Sequence, residues 1–453
     1  MIIGCGKARQ SEGEIHSQPF CPNPVAASLA KKLSRICPFA PVGRVPLPFL
    51  VKMSALECAR LLKRFNMLAL TAGVLYTPAQ AVPRPLVLVE GGKISAIASL
   101  DHREIPANAK LLDFGPEAAL VPGFLDLHIH GGAGYDVMEN NPQGLAAMEK
   151  LLARHGVTSY YPTTVTAPMD TTLHALERLA DEIEGGGRES GVRARPLGIH
   201  LEGPFISHLR RGVHPAENLL PAKVETFQRF WQAARGHIKI MTIAPEIEGA
   251  LDLIAFAAES GVCVSLGHSD ADLATTRKAV LAGARHATHT FNAMRPLERR
   301  DPGILGEVLT NPVLSADIIA DGIHLDPAIV KLFLAAKGDA GSVLITDATS
   351  ATGMPDGSYR LGNLEVELKQ GRCMAGDKLA GSVLTMDAAV RNVMRFAGWS
   401  LPQAVAAATS NAARVLKLEQ SGRLTEGLAA DLAVLNPKGE VKATMVNGVL
   451  NAN

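Results

Sequence analysis

PGFLDLHIHG, residues 122–131, decides the fold class of this chain, because an apolar run passes straight into two histidines and ends at a glycine. Side chains alternate faces along a strand, so His128 and His130 share one side and offer two imidazole nitrogens to one cation. The same grammar returns downstream. Eight strand candidates follow one another: GFLDLHIH (123–130), VTSYYPTTV (157–165), RPLGIHLE (195–202), IKIMTIAPE (238–246), VCVSLGH (262–268), RHATHT (285–290), VLSADIIADGIH (313–324) and SVLITD (342–347). Helical stretches separate them, such as GLAAMEKLLARHG (144–156) and DADLATTRKAVLAGA (270–284), the latter opening on Asp270 as a residue able to cap a helix N-terminus. Eight alternations predict a (β/α)8 TIM-like barrel over 122–419. A doubly wound sheet is the alternative, and no glycine-rich dinucleotide fingerprint follows the first strand.

Outward from the barrel, both ends of the chain alternate apolar and polar residues. MLALTAGVLY (67–76), LVLVE (86–90) and KISAIASL (93–100) stand before it; GRLTEGLAADLAVLN (422–436) and VKATMVNGVLN (441–451) stand after it. The economical arrangement is one small β domain made from 67–121 and 420–453. Residues 1–66 show no strand pattern and carry ten Lys or Arg against three Glu, a balance of +7. They read as a disordered extension or an early start ahead of Met53 or Met67.

With a net charge of +1 for the whole chain, residues 67–453 sum to 1 − 7 = −6, so the body has no nucleic-acid-binding excess. No apolar run reaches the roughly 18 residues of a membrane span. Of six cysteines, Cys5, Cys21, Cys37 and Cys58 lie in the leading segment, while Cys263 and Cys373 suggest no disulfide framework; a cytoplasmic protein is expected.

Function is read from the strand ends. In a parallel barrel they share the face where active sites form. Here they carry His128 and His130, then Glu202, His268, His289, His324 and Asp347. One carboxylate and two imidazoles, Glu202 with His268 and His289, suit zinc or ferrous iron and leave a position open for water. Asp347, behind the apolar run SVLI, is placed to take a proton from activated water and give it to a leaving nitrogen. His200, on the face of Glu202, is expected to support the site from behind. His155 ends a helix, and His16, His102, His174, His208, His237 and His286 show no partner pattern, so solvated or packing roles are expected for them.

These residues sit in motifs that resemble the N-acetylglucosamine-6-phosphate deacetylases of the amidohydrolase superfamily: PGFLDLHIHG (122–131), HLEGPF (200–205), RRGVHP (210–215), GHSDA (267–271), ATHTFNAM (287–294), ADGIHLDP (320–327), TDATSATG (346–353) and LAGSVLTM (379–386). The resemblance runs from about Met67 to the C-terminus. It implies Glu202, His268 and His289 as metal ligands, Asp347 as catalytic acid/base, and His128 with His130 as the pair that admits a second metal. It further implies substrate contacts at His214, Asn292, Ala293 and His324. Arg300 is implied as a phosphate-binding arginine reaching a neighbouring subunit, with Arg295 and Arg299 as alternatives in the same stretch, and hence a homodimer. The expected partner is a small amino-sugar phosphate, and the expected cofactor is zinc or iron, one or two ions per subunit. Other amide hydrolyses remain open, on N-acetylgalactosamine 6-phosphate, on N-acyl amino acids or on cyclic amides, although no strand-end lysine is present to bridge two metals as ring-opening relatives need. A non-catalytic barrel scaffold is the remaining alternative.

Overall fold

A computed structural model describes residues 67–78, 80–185 and 192–452; the expectations for residues 1–66, including four cysteines and His16, lie outside them. All eight expected barrel strands form. Phe124–Ile129, the first, pairs in parallel with Val157–Thr164, and the series continues through Ile199–Glu202, Ile238–Ile243, Cys263–Leu266 and His286–Ala287. Ala316–Ile319 and Ser342–Ile345, the seventh and eighth, form a further parallel pair.

Single hydrogen bonds close the ring. Ala287 and Thr290 donate backbone N–H to the carbonyls of Ser315 and Asp317, joining sixth to seventh; Asp347 and His130 donate to His128 and Ala348, joining eighth to first. Every residue of the first, second, third, seventh and eighth strands is buried. Strands covered on both faces need near-continuous apolar sequence, which is why these runs were legible. Side chains such as Phe227, Phe230 and Phe333 fill the layer between sheet and helices.

Two local readings are corrected. The sixth strand is only His286–Ala287, because the backbone turns at His289 instead of continuing. The helix Leu273–Ala282 is capped by Asp272, whose side chain accepts the Thr275 N–H, and not by Asp270, which pairs with Arg210 at 2.7 Å. Asp272 stands one residue before the first helical residue, where a carboxylate meets the unsatisfied N–H groups.

Both ends of the chain contribute to a six-stranded sheet, ordered Val449–Ala452, Val441–Val446, Leu432–Leu435, Ala119–Pro122, Val74–Tyr76, Ala81–Pro83. Leu432–Leu435 lies antiparallel to Ala119–Pro122, the segment that leads directly into the first barrel strand. A second sheet, of four strands, is built from Lys93–Ser99, Pro85–Glu90, Met67–Thr71 and Lys110–Asp113. A further four-stranded antiparallel sheet, Gly357–Leu361, Leu364–Lys369, Arg372–Ala375 and Lys378–Leu379, has no counterpart in the expected elements; it follows the eighth strand and brings Lys378 to the barrel mouth where the strand ends gather. Among the described residues no helix is long and apolar enough to cross a membrane.

Candidate metal centre

His128 and His130 reach the centre by strand alternation, but the later residues need a break in the chain. His268, His289 and Asp347 all have positive φ, at 49°, 29° and 49°. Non-glycine residues avoid this region, and holding one there costs on the order of 1–3 kcal/mol, so such strain persists where the surrounding structure imposes it. Here it turns each strand end abruptly and directs the side chain over the barrel mouth.

The result is a buried cluster. Glu202 stands between two groups: its Oε1 lies 3.0 Å from His289 Nε2 and 3.3 Å from His268 Nε2. Its Oε2 lies 3.2 Å from His130 Nε2 and 3.5 Å from His128 Nε2. Asp347 Oδ1 completes the second group, 3.2 Å from His130 and 3.5 Å from His128. Glu202 is thus positioned to bridge.

The imidazole tautomers follow from what lies behind them. His130 Nδ1 is 2.9 Å from the Thr163 carbonyl and His268 Nδ1 is 2.9 Å from the Arg210 carbonyl. A carbonyl only accepts, so each Nδ1 carries the proton and each Nε2 presents a lone pair to the centre. Yet His268 and His289 bring their Nε2 atoms within 3.2 Å, and His128 and His130 within 3.1 Å. Ring nitrogens crowded at that range beside two carboxylates, with lone pairs on His130 and His268, fit a divalent cation bound by N and O donors. His128, His130 and Asp347 form one ligand-competent group, with ligand atoms within 4.8 Å of one another.

His214 differs. It stands with Glu202 and His268 in a second such group, 3.7 Å from Glu202 Oε2. But its Nδ1 accepts the Thr166 backbone N–H at 3.3 Å, which leaves the proton on Nε2. Thr166 Oγ1 also lies 2.7 Å from this Nδ1, and His214 faces the site with Nε2 as a hydrogen-bond donor.

Burial raises the Glu202 carboxyl, but His128, His130 and His214 outweigh it and hold it well below its ordinary value. Asp347 is likewise brought down to about 2, its burial outweighed by His128 and His130. Both carboxylates stay anionic without solvent, the condition for trapping a cation. Burial carries His268 down to about 4, whereas Glu202 overrides burial at His289 and lifts it to about 9.

Several supports were invisible in the sequence. Asp317, on the seventh strand, accepts the His289 backbone N–H and takes His286 Nε2 at 2.9 Å, while His286 Nδ1 meets Ser315 Oγ at 2.9 Å. His286, expected as a packing or solvated residue, is thus fully engaged. His200 behaves as expected: it donates to the Leu127 carbonyl at 3.0 Å and meets Thr242 Oγ1 at 2.7 Å, against the His128 ring. Burial first, and His128 second, lower His200 well below the ordinary histidine value, so it stays neutral.

Above the cluster a cavity of about 320 Å³ is lined by Asn292, Ala293, His324, Arg210 and Lys378 together with His130, Glu202, His268, His289 and Asp347. Asp321 takes His324 Nδ1 at 2.7 Å and aims its Nε2. Asn292 bonds the His289 carbonyl at 3.2 Å. Arg300 is exposed and does not line this cavity, and Arg295 is paired with Asp301. Arg210 and Lys378 are cations at the mouth that sequence reading passed over; Lys378 lies 31 residues beyond Asp347, with no strand-end signal.

Residues 119–450 match the model of the amidohydrolase family. The N-acetylglucosamine-6-phosphate deacetylase of Bacillus subtilis (strain 168) is 36% identical over 374 residues, covering 82% of this chain and 94% of the relative. The N-acetylgalactosamine-6-phosphate deacetylase of Escherichia coli O157:H7 is 38% identical over 365 residues, covering 80% and 93%. Among solved structures, an alanine variant of the deacetylase of Mycobacterium smegmatis, in complex with N-acetyl-D-glucosamine 6-phosphate, superposes with a TM-score of 0.80 at 34% identity, covering 86% of this chain and 100% of that one. With the barrel, the sheets from both ends and the clustered carboxylates and imidazoles, these likenesses establish that the chain is an amidohydrolase and belongs to the N-acetylglucosamine-6-phosphate deacetylase family.

Proposed function

We propose that this enzyme hydrolyses the acetamide of N-acetylglucosamine 6-phosphate to acetate and glucosamine 6-phosphate. The observation that carries the proposal is the meeting of Glu202, His268, His289 and Asp347 in the wall of one open cavity. Glu202, His268 and His289 would hold a divalent zinc or iron ion, with His128, His130 and Asp347 beside a second. When bound, such a metal polarises the amide carbonyl and lowers the pKa of water to about 7.

The chain's own residues supply the rest. Asp347, anionic, accepts the proton of the attacking water as the new C–O bond forms. His214 and His324 face the cavity with ring nitrogens held by Thr166 and Asp321; the Nε2–H of His214 can donate to the oxyanion, in the way fixed donors stabilise developing charge. Asp347 then returns its proton to the amine as the C–N bond breaks. Asn292 and Ala293 line the sugar side of the cavity. Arg300, exposed away from its own subunit's cavity, serves the phosphate of a partner's substrate in a homodimer under this reading. The free thiols Cys263 and Cys373 suit a reducing compartment such as the cytoplasm.

The galactosamine epimer is a second reading, because a relative named for that substrate is 38% identical over 80% of the chain. Acetate release measured on both epimers and on N-acyl amino acids, with metal quantified in the same samples, decides the matter. Highest kcat/KM on the glucosamine compound is expected. Preference for an N-acyl amino acid overturns the reading, and a metal-free protein inert on all three returns the scaffold alternative.

A further inference from the structure

A cavity of about 800 Å³ opens at the other end of the barrel. Its lining marks the place: Lys239 is the second residue of the fourth strand, Cys263 the first of the fifth, and Arg285, Ser315 and Gly341 immediately precede the sixth, seventh and eighth. This is the face of strand starts, away from the metal centre. It usually contributes stability alone.

Its charge is what sets it apart. Lys239, Arg285, Lys337, Arg414 and Lys417 line it, and no Asp or Glu does. Among the described residues none of the five has a carboxylate within 4.0 Å, whereas Arg210, Arg235, Arg277, Arg295 and Arg391 each do. Five cations gathered in one concavity, in a body whose net charge is −6, repel one another and focus a positive potential there.

Donors remain to meet a ligand. Lys337 is fully engaged, its ammonium on the carbonyls of Val308, Asn311 and Leu314, and it contributes only its field. Lys239 gives one bond, to the Gly236 carbonyl. Arg285 uses only Nη1, on the carbonyls of Val280 and Ala284, and Arg414 only Nη2, on the Ala340 carbonyl and Asn411. Lys417, exposed, makes no hydrogen bond among the described residues. Between the cations lie accessible apolar side chains, among them Val313, Val415 and Leu416. The volume falls in the range of small-molecule sites, roughly 300–1,000 Å³, which mix apolar walls with a few polar anchors.

We propose that this cavity is a second binding site, for a small organic phosphate whose anionic group meets Lys239, Arg285, Arg414 and Lys417 and whose apolar body lies against Val415 and Leu416. The site is independent of the substrate reading, since no residue lines both cavities. The probe is adenosine diphosphate, titrated calorimetrically into the metal-loaded full chain, with uncharged adenosine as control. One saturable component per chain is expected, absent for adenosine and weakened at least tenfold in a Lys239→Gln/Lys417→Gln double variant. That variant should keep the metal content and melting temperature of the unliganded parent. If it fails to fold, Lys417→Gln alone, at an exposed position, should weaken binding at least threefold. No saturable binding up to millimolar probe, or equal binding in parent and variant, overturns the proposal, the latter because the probe then sits elsewhere.

Discussion

Nε2 of His289 lies 3.0 Å from Oε1 of Glu202, although 87 residues separate them, and the other carboxylate oxygen faces the His128–His130 pair. A carboxylate in that place serves both halves of the centre at once. Removing its charge leaves the His268–His289 pair with no anion beside it and the His128–His130 pair with Asp347 alone.

Glu202→Gln is therefore expected to weaken metal binding about 100-fold or more, at or beyond the upper end of what supporting residues of metal sites cost. Elemental analysis after dialysis checks it. The parent, treated with a chelator, should melt earlier, because a ligand at about 1,000 times its Kd adds about 4 kcal/mol. A fully metallated and active Glu202→Gln enzyme would remove Glu202 from the ligand set.

Asp347→Asn keeps the size of the side chain and removes its proton acceptor. We expect the ion at Glu202, His268 and His289 to stay bound and kcat to fall by about 10²–10⁴, the usual weight of a general base. Near-parental turnover would show that another group moves the proton.

His214 presents N–H, not a lone pair, because Thr166 occupies its Nδ1. His214→Asn should accordingly leave the metal stoichiometry unchanged while lowering kcat/KM by about 10²–10³, as loss of an oxyanion donor does. Loss of one metal per chain in this variant would make His214 a ligand instead.

Asp387 ties the end of the helix Pro142–Arg154 to the start of Met386–Ala397. Its carboxylate takes His155 Nδ1 at 2.9 Å, Arg391 Nη1 at 2.6 Å and Thr385 Oγ1 at 2.7 Å. Burial raises its pKa, but these partners prevail and hold it well below the usual carboxylate range. A depressed folded-state value means stability that is complete above the unfolded pKa of about 3.9 and is lost as pH falls through the lower folded value. Asp387→Asn should cost about 1–3 kcal/mol at pH 7. In denaturant titrations that gap should narrow below about pH 4; a gap that widens there contradicts the assignment.

How far the sequence reached can be argued from particular residues. The barrel was legible because most of its strands are largely apolar runs, and six of the eight ended at or beside a histidine or carboxylate that does not belong in an apolar core. His128, His130, Glu202, His268, His289 and Asp347 were named on that ground, and they converge. Asp317, Asp321 and Thr166 were not, since an acid inside ADIIAD or a threonine after TTV carries no local mark of what it will touch.

Alternation along a strand is a short-range rule, so the sequence by itself determined which face His128 and His130 share and which residues end the strands. Only the tertiary structure decided that Glu202 stands between two imidazole groups, which nitrogen of His130, His268 and His214 carries the proton, and where Lys378 and the five floor cations gather. Those outcomes depend on backbone atoms and charges brought together by closure of the sheet, between residues far apart in the chain, and no local pattern encodes them.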